Sequence, residues 1–559
     1  MPTLNWIGKD KVINHHLDVP FRTLDTQYTF RADATPSDTP TTDVSLAESP
    51  TEKPNAARRD ADNLIIHGDN LEALKALLPR YEAQVRCIYI DPPYNTGNEG
   101  WVYNDNVNDP KLKRWLAQVV GKEGEDLSRH DKWLCMMYPR LKLLHKLLAE
   151  DGFIFVAIDK FEYDYLALIL DEVFGRRNRI ETLVWKKSYG GGSKSKHTVN
   201  LHEYIFFYAK NFDSVGELFL PPDEAILKYY KFSDSKFDVR GPYRLQPLAT
   251  TSMDDRPNLR YPILFEGEEL WPEKQWQWSQ DRVSKALLND DLVIEKKKGK
   301  WSTNYKQYLK DEDGIERGRK LFSIVDRIYT QHGTNELKEV MGKTSFTFPK
   351  PPALLQTLFQ LVTGKNSIIL DSFAGSGTTA HAVLNLNQQD GGNRQFILVE
   401  MEEYAETITA ERVRRVMQGY GDKPGTGGQF SYHTLGERLF DDNGDLNPAV
   451  SIDKIREYIW FTETRLSYQP KPVTPDSDEP NAVDESPARP YFLGQHEGTA
   501  YYFCYEPEAH TTLDFTLLDT IRHRAEQYII YADACTLPDA FLQQHGIIFK
   551  KIPRDISRL

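Results

Sequence analysis

One stretch, VRCIYIDPPYNTG from Val85 to Gly97, limits the fold more than any other. A largely apolar run leads into Asp91, Pro92, Pro93 and Tyr94. Proline has no N–H to give to a β-ladder, so two in a row end a central strand. A buried strand that stops on an acid, two stiff residues and a ring delivers those groups to the edge of a sheet. The flanking pattern says which kind of sheet. LIIHGD (64–69) reads as a strand, NLEALKALLPRYEA (70–83) has leucines at helical spacing, and VRCIYID is the next strand, a βαβ unit. A long amphipathic helix follows over 130–150, in which Pro139 predicts a kink or a split. GFIFVAID (152–159) and EYIFFYAK (203–210) read as strands, with a helix near 160–174 between them.

Periodicity blurs over 211–345 and then returns: a helix at PPALLQTLFQLV (351–362) with Pro at its start, a strand at NSIILD, a helix at TTAHAVLNLNQ, a strand at RQFILVE (394–400), and a helix over 402–418. Two α/β halves flanking an insert predict one doubly wound sheet split by an insertion. The expected domains are an N-terminal segment (1–62), a first half (63–210), the insert (211–345), a second half (346–440) and a small C-terminal α/β unit (441–559). Within them, 33–62 and 469–490, rich in Pro, Ser, Thr and Asp, read as disordered linkers, and 421–429 as a shorter break.

The second informative stretch is ILDSFAGSGTTAHAV, a strand, a Gly-x-Gly turn and a helix. Gly375 and Gly377 let the backbone turn sharply against a ligand. Glu400 ends the next strand, 23 residues beyond Gly377, where an acid can grip both hydroxyls of a ribose. No Gly-Lys-Ser/Thr follows, so the loop is not a P-loop. The ligand reads as a nucleoside, with NAD and S-adenosylmethionine both open on this evidence.

The Asp-Pro-Pro-Tyr turn suits chemistry on an amine. An exocyclic amine on a base delocalises its lone pair into the ring and is a poor nucleophile. It improves when acceptors hold both its hydrogens: the Asp91 carboxylate for one and the Pro92 carbonyl, aimed by the rigid turn, for the other. The Tyr94 ring offers a face for a flipped base. Positioning and electrostatics would carry such a transfer without a covalent intermediate.

These motifs together identify a resemblance, over about 63–420, to the amino-methylating DNA methyltransferases with a DPPY motif. The order is permuted, with the catalytic turn before the cofactor loop, as in the β-group of that family. LNWIGKDKVINHH, HGDNLEALKALLPRY, DPPYNTGNEGWVYND and FAGSGTTAHAV resemble the modification subunit of type III restriction–modification systems. The resemblance implies a Rossmann-like methyltransferase sheet, S-adenosylmethionine as cofactor and adenine N6 in duplex DNA as target, the last because Asp stands at position 91; cytosine N4 has the same amine geometry. It implies catalytic roles for Asp91, Pro92 and Tyr94, with Pro93 shaping the turn. It implies cofactor contacts from Asp371, Phe373, Ala374, Gly375, Ser376, Gly377, Thr378 and Glu400, from Asp69 near the adenine, and from Lys350 over the methionine end. Asp69 reads equally as a helix N-cap, and Lys350 as a solvated lysine beside prolines.

A net charge of −13 argues weakly against nucleic acid, but binding needs only a local basic surface. WKKSYGGGSKSKHTVNLHEYIFFYAK (185–210) holds five lysines against one glutamate around a triple glycine. Lys186, Lys187, Lys194 and Lys196 are the candidate phosphate contacts. The insert, with four of the ten tryptophans, is the expected target-recognition domain. Four scattered cysteines, no metal-ligand spacing, no apolar run of membrane length and no signal-peptide h-region predict a reduced cytoplasmic protein without a metal. By the resemblance, partners are duplex DNA, a second copy and a helicase–nuclease subunit in phage defence. The C-terminal unit is assigned to association, so deleting 469–559 is expected to spare methylation. The different-class alternative is a recognition subunit that chiefly directs a nuclease to its sites.

Overall fold

The apolar runs at 85–90, 153–158, 368–371 and 395–400 lack polar alternation, the pattern of strands covered on both faces. In the computed structural model they form the centre of a ten-stranded sheet. The structure describes residues 3–32, 63–95, 129–190, 197–222, 224–297, 299–342, 346–468, 491–521 and 523–559; both expected linkers, and Lys194 and Lys196, lie outside the described residues. In chain order the strands are β1 (Arg22–Ala32), β2 (Leu64–His67), β3 (Val85–Ile90), β4 (Leu148–Ile158), β5 (Arg179–Lys186), β6 (His202–Ala209), β7 (Ile324–Val325), β8 (Ile368–Asp371), β9 (Gln395–Glu400) and β10 (Gly428–Arg438). Their order across the sheet is β1-β10-β2-β9-β8-β3-β4-β6-β5-β7.

The strands from β10 to β4 are parallel to one another. The second half of the chain is threaded into the first: β8 and β9 lie between β2 and β3. From β8 the chain winds to β9 in one direction, and from β3 it winds to β4 in the other. The β8/β3 boundary is therefore a topological switch point, where open α/β sheets leave a crevice beyond the carboxyl ends of the strands. Leu370 pairs with Ile88 there, so both halves end their strands side by side. The helices used below are α1 (Asn70–Tyr81), α2 (Arg129–Leu147), α3 (Tyr163–Leu170), α4 (Thr330–Met341), α5 (Pro352–Val362), α6 (Thr378–Asp390), α7 (Glu411–Gln418) and α8 (Ile452–Thr464). Ile88 and Ile90 enter the core shared with α1 and α2, while Tyr89 on the opposite face meets Phe359 of α5, so helices cover both sides.

Several expectations are corrected. Helix α2 runs unbroken through Pro139. Its burial of Trp133, Leu134, Met137, Leu141 and Leu144 offsets the roughly 3 kcal/mol that an internal proline costs. It ends at Leu147, and residues 148–150 begin β4. The N-terminal segment is part of the sheet, since β1 pairs antiparallel with β10, and the break at 421–429 runs directly into that strand.

The compact second unit is Glu217–Leu321, narrower than the expected 211–345. It has its own core of Leu248, Tyr261, Ile263, Leu270, Trp276, Val283, Ala286 and Leu292, and a three-stranded antiparallel sheet of Tyr243–Pro247, Lys300–Tyr308 and Leu292–Lys297. Trp276 is core and donates to the Tyr261 carbonyl at 2.8 Å, whereas Trp271 is exposed. Residues from 322 onward, α4 included, belong to the first unit.

The C-terminal strands, β11 (Phe492–His496), β12 (Thr499–Phe503), β13 (Gln527–Ala532) and β14 (Ile547–Lys551), form a second sheet. It does not stand apart. Leu493, Phe503, Ile529, Ile552 and Ile556 lie in the same core as Leu74, Leu77 and Leu144. Each buried side chain of this kind contributes roughly 1.5–3 kcal/mol. Removing them would expose the facing side of a core that includes Leu74, Leu77 and Leu144. Deleting 469–559 should thus unfold the chain rather than spare its activity.

Candidate active site

At the end of β3 the turn is pinned from outside. The Trp133 indole, fully buried on α2, donates to the Pro93 carbonyl at 2.7 Å. Asn95 closes the turn at φ +55, a region asparagine tolerates better than most residues. Its side-chain amide donates to the Arg129 carbonyl at 3.1 Å.

Asp91 and Tyr94 sit in a cluster that crosses the sheet. The Tyr94 hydroxyl lies 2.7 Å from Asp91 Oδ1 and 3.0 Å from Glu203 Oε2. The Lys350 ammonium donates to Asp91 Oδ2 at 2.6 Å and to the Tyr94 hydroxyl at 2.8 Å, and lies 3.5 Å from Glu203 Oε2. Lys187 donates to Glu203 Oε1 at 2.8 Å. Burial pushes the Asp91 carboxyl up, more than Lys350 pulls it down. Burial also acts upward on Glu203, but there Lys350 and Lys187 win and hold it below the ordinary range.

The loop after β8 is held by its own surroundings. Asp371 Oδ1 accepts from the Phe373 N–H at 3.0 Å, and Oδ2 accepts from the Thr379 hydroxyl at 2.5 Å. Glu400 Oε2 accepts from the Gly375 N–H at 2.7 Å, and Oε1 accepts from the Glu402 N–H at 3.0 Å. Gly377 has φ +76, and a Cβ there would stand 3.0 Å from the Thr409 carbonyl oxygen. Behind the loop, fully buried Arg412 of α7 donates to Ser376 Oγ at 2.9 Å and Thr378 Oγ1 at 2.8 Å. Burial pushes Asp371 and Glu400 each up to about 7.

Turn and loop open into one cavity of about 580 Å³, a size common for small-molecule sites. It is lined by Asp91 to Tyr94, Glu203, Lys187, Lys350, Asp371 and residues of the loop from Phe373 to Thr379. Asp91, Pro92, Pro93, Tyr94, Phe373, Ala374 and Gly375 are thus brought together as expected from the sequence. Other candidates are placed differently. Glu400 and Gly377 are not among the cavity-lining residues: Glu400 is bonded to the Gly375 and Glu402 amides behind the loop, and Gly377 packs against Thr409. Asp69 is the N-cap of α1, accepting from Leu71 and Glu72 N–H at 2.8 and 3.2 Å, and it pairs with Arg140; it does not line the cavity. Lys350 lies against the Asp-Pro-Pro-Tyr turn, bonded to Asp91 and Tyr94. The Ser376 and Thr378 hydroxyls are engaged by Arg412. Lys186 pairs with Asp326 at 3.4 Å, and Lys187 is a cavity residue bonded to Glu203 rather than a free lysine. Sequence reasoning passed over Trp133, Arg412 and Glu203. Only Glu203 left a signal, as the lone acid in the apolar strand HEYIFFYA.

Comparison with known proteins agrees with this geometry. The family described as DNA methylase matches residues 85–411, from the start of β3 to the first residue of α7. The Mod subunit of the type III restriction-modification enzyme StyLTI of Salmonella typhimurium is 35% identical over 379 residues, 62% of this chain and 54% of that protein. The EcoPI Mod subunit of Escherichia phage P1 is 33% identical, covering 64% of this chain and 60% of its own length. The type II methyltransferase M.KpnI of Klebsiella pneumoniae is 31% identical over 60% of this chain and 79% of its own. The chain therefore spans between half and two thirds of the two Mod subunits. With the matched segment holding both the turn and the loop, the chain belongs to the DNA methylase family.

Proposed function

We propose that the chain transfers a methyl group from S-adenosylmethionine to the N6 amine of adenine in duplex DNA, as the modification subunit of a type III restriction–modification system. One observation carries the reading: an amine-accepting turn and a glycine loop on neighbouring strands face a single cavity. The lining suits the cofactor. The loop turns through two glycines at φ +53 and +76, and the Tyr89 hydroxyl in the cavity wall is buried without a hydrogen-bond partner, a polar group left for what enters. Bound there, S-adenosylmethionine supplies an electrophilic methyl on a sulfonium sulfur.

The residues divide the work. Phe373 lines the space for the nucleoside, and Glu400, behind the lining, holds the loop through its bonds to the Gly375 and Glu402 amides and turns to the ribose hydroxyls when the cofactor enters. A paired adenine hides its amine inside the duplex, so the base is flipped into the cavity, and Tyr94 stacks on it. Asp91 and the Pro92 carbonyl accept the two amine hydrogens and turn the nitrogen lone pair toward the methyl. Asp91 would take the proton that the amine gives up as nitrogen bonds the methyl and the electron pair of the broken S–C bond stays on sulfur. Target recognition falls to the unit at 217–321, with duplex DNA, a second copy and a helicase–nuclease subunit as partners.

The test is single-molecule sequencing of DNA from cells expressing this chain alone. N6-methyladenine on one strand of one short motif is the expected result. Methylated cytosine, or an unmodified genome beside active protein on that DNA in vitro, would overturn the adenine assignment.

A further inference from the structure

Asp91 is not the only acid that Tyr94 and Lys350 serve. The Tyr94 hydroxyl carries one proton, and two carboxylates stand within its reach, Asp91 at 2.7 Å and Glu203 at 3.0 Å. The Lys350 ammonium has three N–H bonds to give, and Asp91, the Tyr94 hydroxyl and Glu203 surround it. Lys187 closes the arrangement on the far oxygen of Glu203. Two ammoniums and two carboxylates thus meet in one cluster whose charges balance, beside Asp159 and Asp371, which also line the cavity. Without Glu203 the cluster would hold one acid against two cations. Asp91 would then take the full pull of Lys350 and the whole Tyr94 proton, and would have less to offer an amine.

The charge balance matters because the methyl donor is a cation and the amine nitrogen becomes positive as its bond forms. Partly buried charges at short range are weakly screened, so one uncompensated ammonium in the wall repels both. We propose that Glu203 is a positioning residue of the methyl-transfer site: it shares Lys350 and Tyr94 with Asp91, eases their hold on the Asp91 carboxylate that accepts the amine, and balances the charge of the two lysines toward a cationic cofactor. This rests on the cavity being the methyl-donor site.

The experiment compares two ligands that differ by one charge, cationic S-adenosylmethionine and neutral S-adenosylhomocysteine, by calorimetry on the full chain. Glu203→Gln should leave the neutral ligand within about twofold and weaken the cationic one by about tenfold, the scale of one unpaired charge at this depth. Lys187→Met, on the solvent side of the cluster, should shift the ratio the other way, about threefold in favour of the cation. The double variant Glu203→Gln/Lys187→Met restores the balance and should restore the wild-type ratio. Equal losses of both ligands in Glu203→Gln, or an unchanged ratio in Lys187→Met, would overturn the inference; the second variant decides the matter if the first does not fold. A wild-type chain that binds neither ligand would instead overturn the cofactor reading on which this stands.

Discussion

The turn after β3 and the loop after β8 stand on neighbouring strands, yet they are held in opposite ways. The turn is held by charge from far along the chain: Lys350, Glu203 and Lys187 come from three other segments and meet as ions around Asp91 and Tyr94. The loop is held by backbone amides, two strand-end carboxyls and an arginine behind it. Its acids, Asp371 and Glu400, are both pushed up to about 7, while Glu203 is held low. A reacting group has to give and take hydrogen bonds as charge develops, and mobile ionic partners allow that. A binding loop has only to keep its shape, and fixed amides suit it. Damage should therefore separate into lost chemistry on one side and lost binding on the other.

The sharpest break is Asp91→Ala, which removes the charged acceptor of an amine hydrogen. Loss of such a contact at a transition state costs about 10²–10³ in rate, and transfer of labelled methyl to DNA should fall at least that far. On the loop side, Gly377→Val puts a branched side chain at φ +76 beside the Thr409 carbonyl. Cofactor affinity should fall by about 10²-fold in a calorimetric titration, because a β-branched residue resists that conformation and the loop must move. Arg412→Met keeps volume but strips the loop of its rear donors. Hydrogen bonds to hydroxyls and a carbonyl of this kind contribute about 1 kcal/mol each, so a loss of roughly tenfold in affinity and a lower melting temperature are expected, with transfer at saturating cofactor close to wild type.

The smallest expected effect is on pH. Glu400 titrates at about 7 folded, against an ordinary 4.5, so between those values the folded state binds the extra proton. Stability then falls as pH rises through that window. Asp371, raised likewise, adds a slope of the same sign, so Glu400→Gln should reduce the slope of melting temperature between about pH 4.5 and 7 and leave the Asp371 share. An unchanged slope would mean that the loop carboxyl is not the titrating group.

Much of this was legible in the sequence because it is local. An apolar run with no polar alternation marks a doubly covered strand, and β2, β3, β4, β6, β8 and β9 were found that way. The two motifs are short enough to carry their own meaning. What failed to show was long-range. Strands β1, at the sheet edge, and β10, next to it, are of mixed polarity and pair across more than half the chain, and neither has an apolar run. Glu203 and Lys187 read as part of a basic stretch until the fold brought them to Asp91, and Arg412 was one arginine among several on its helix. Asp69 carried two readings because an N-cap and a ligand acid share the same sequence position at a strand end; the structure shows the N-cap. The insert and the C-terminal unit also read alike, as attachments. Their packing separates them: the unit at 217–321 has a core of its own, whereas the C-terminal sheet adds one face to the core of the large sheet and keeps a small core on the other.

The division between turn and loop is tested most directly by titrating S-adenosylhomocysteine, which lacks the charge of the methyl donor, onto the Asp91→Ala variant and the wild type while following methyl transfer from S-adenosylmethionine to duplex DNA in the same preparations. The account predicts a dissociation constant within about threefold of wild type together with no measurable transfer. A cofactor affinity lost along with activity, or transfer that survives the substitution, would contradict it.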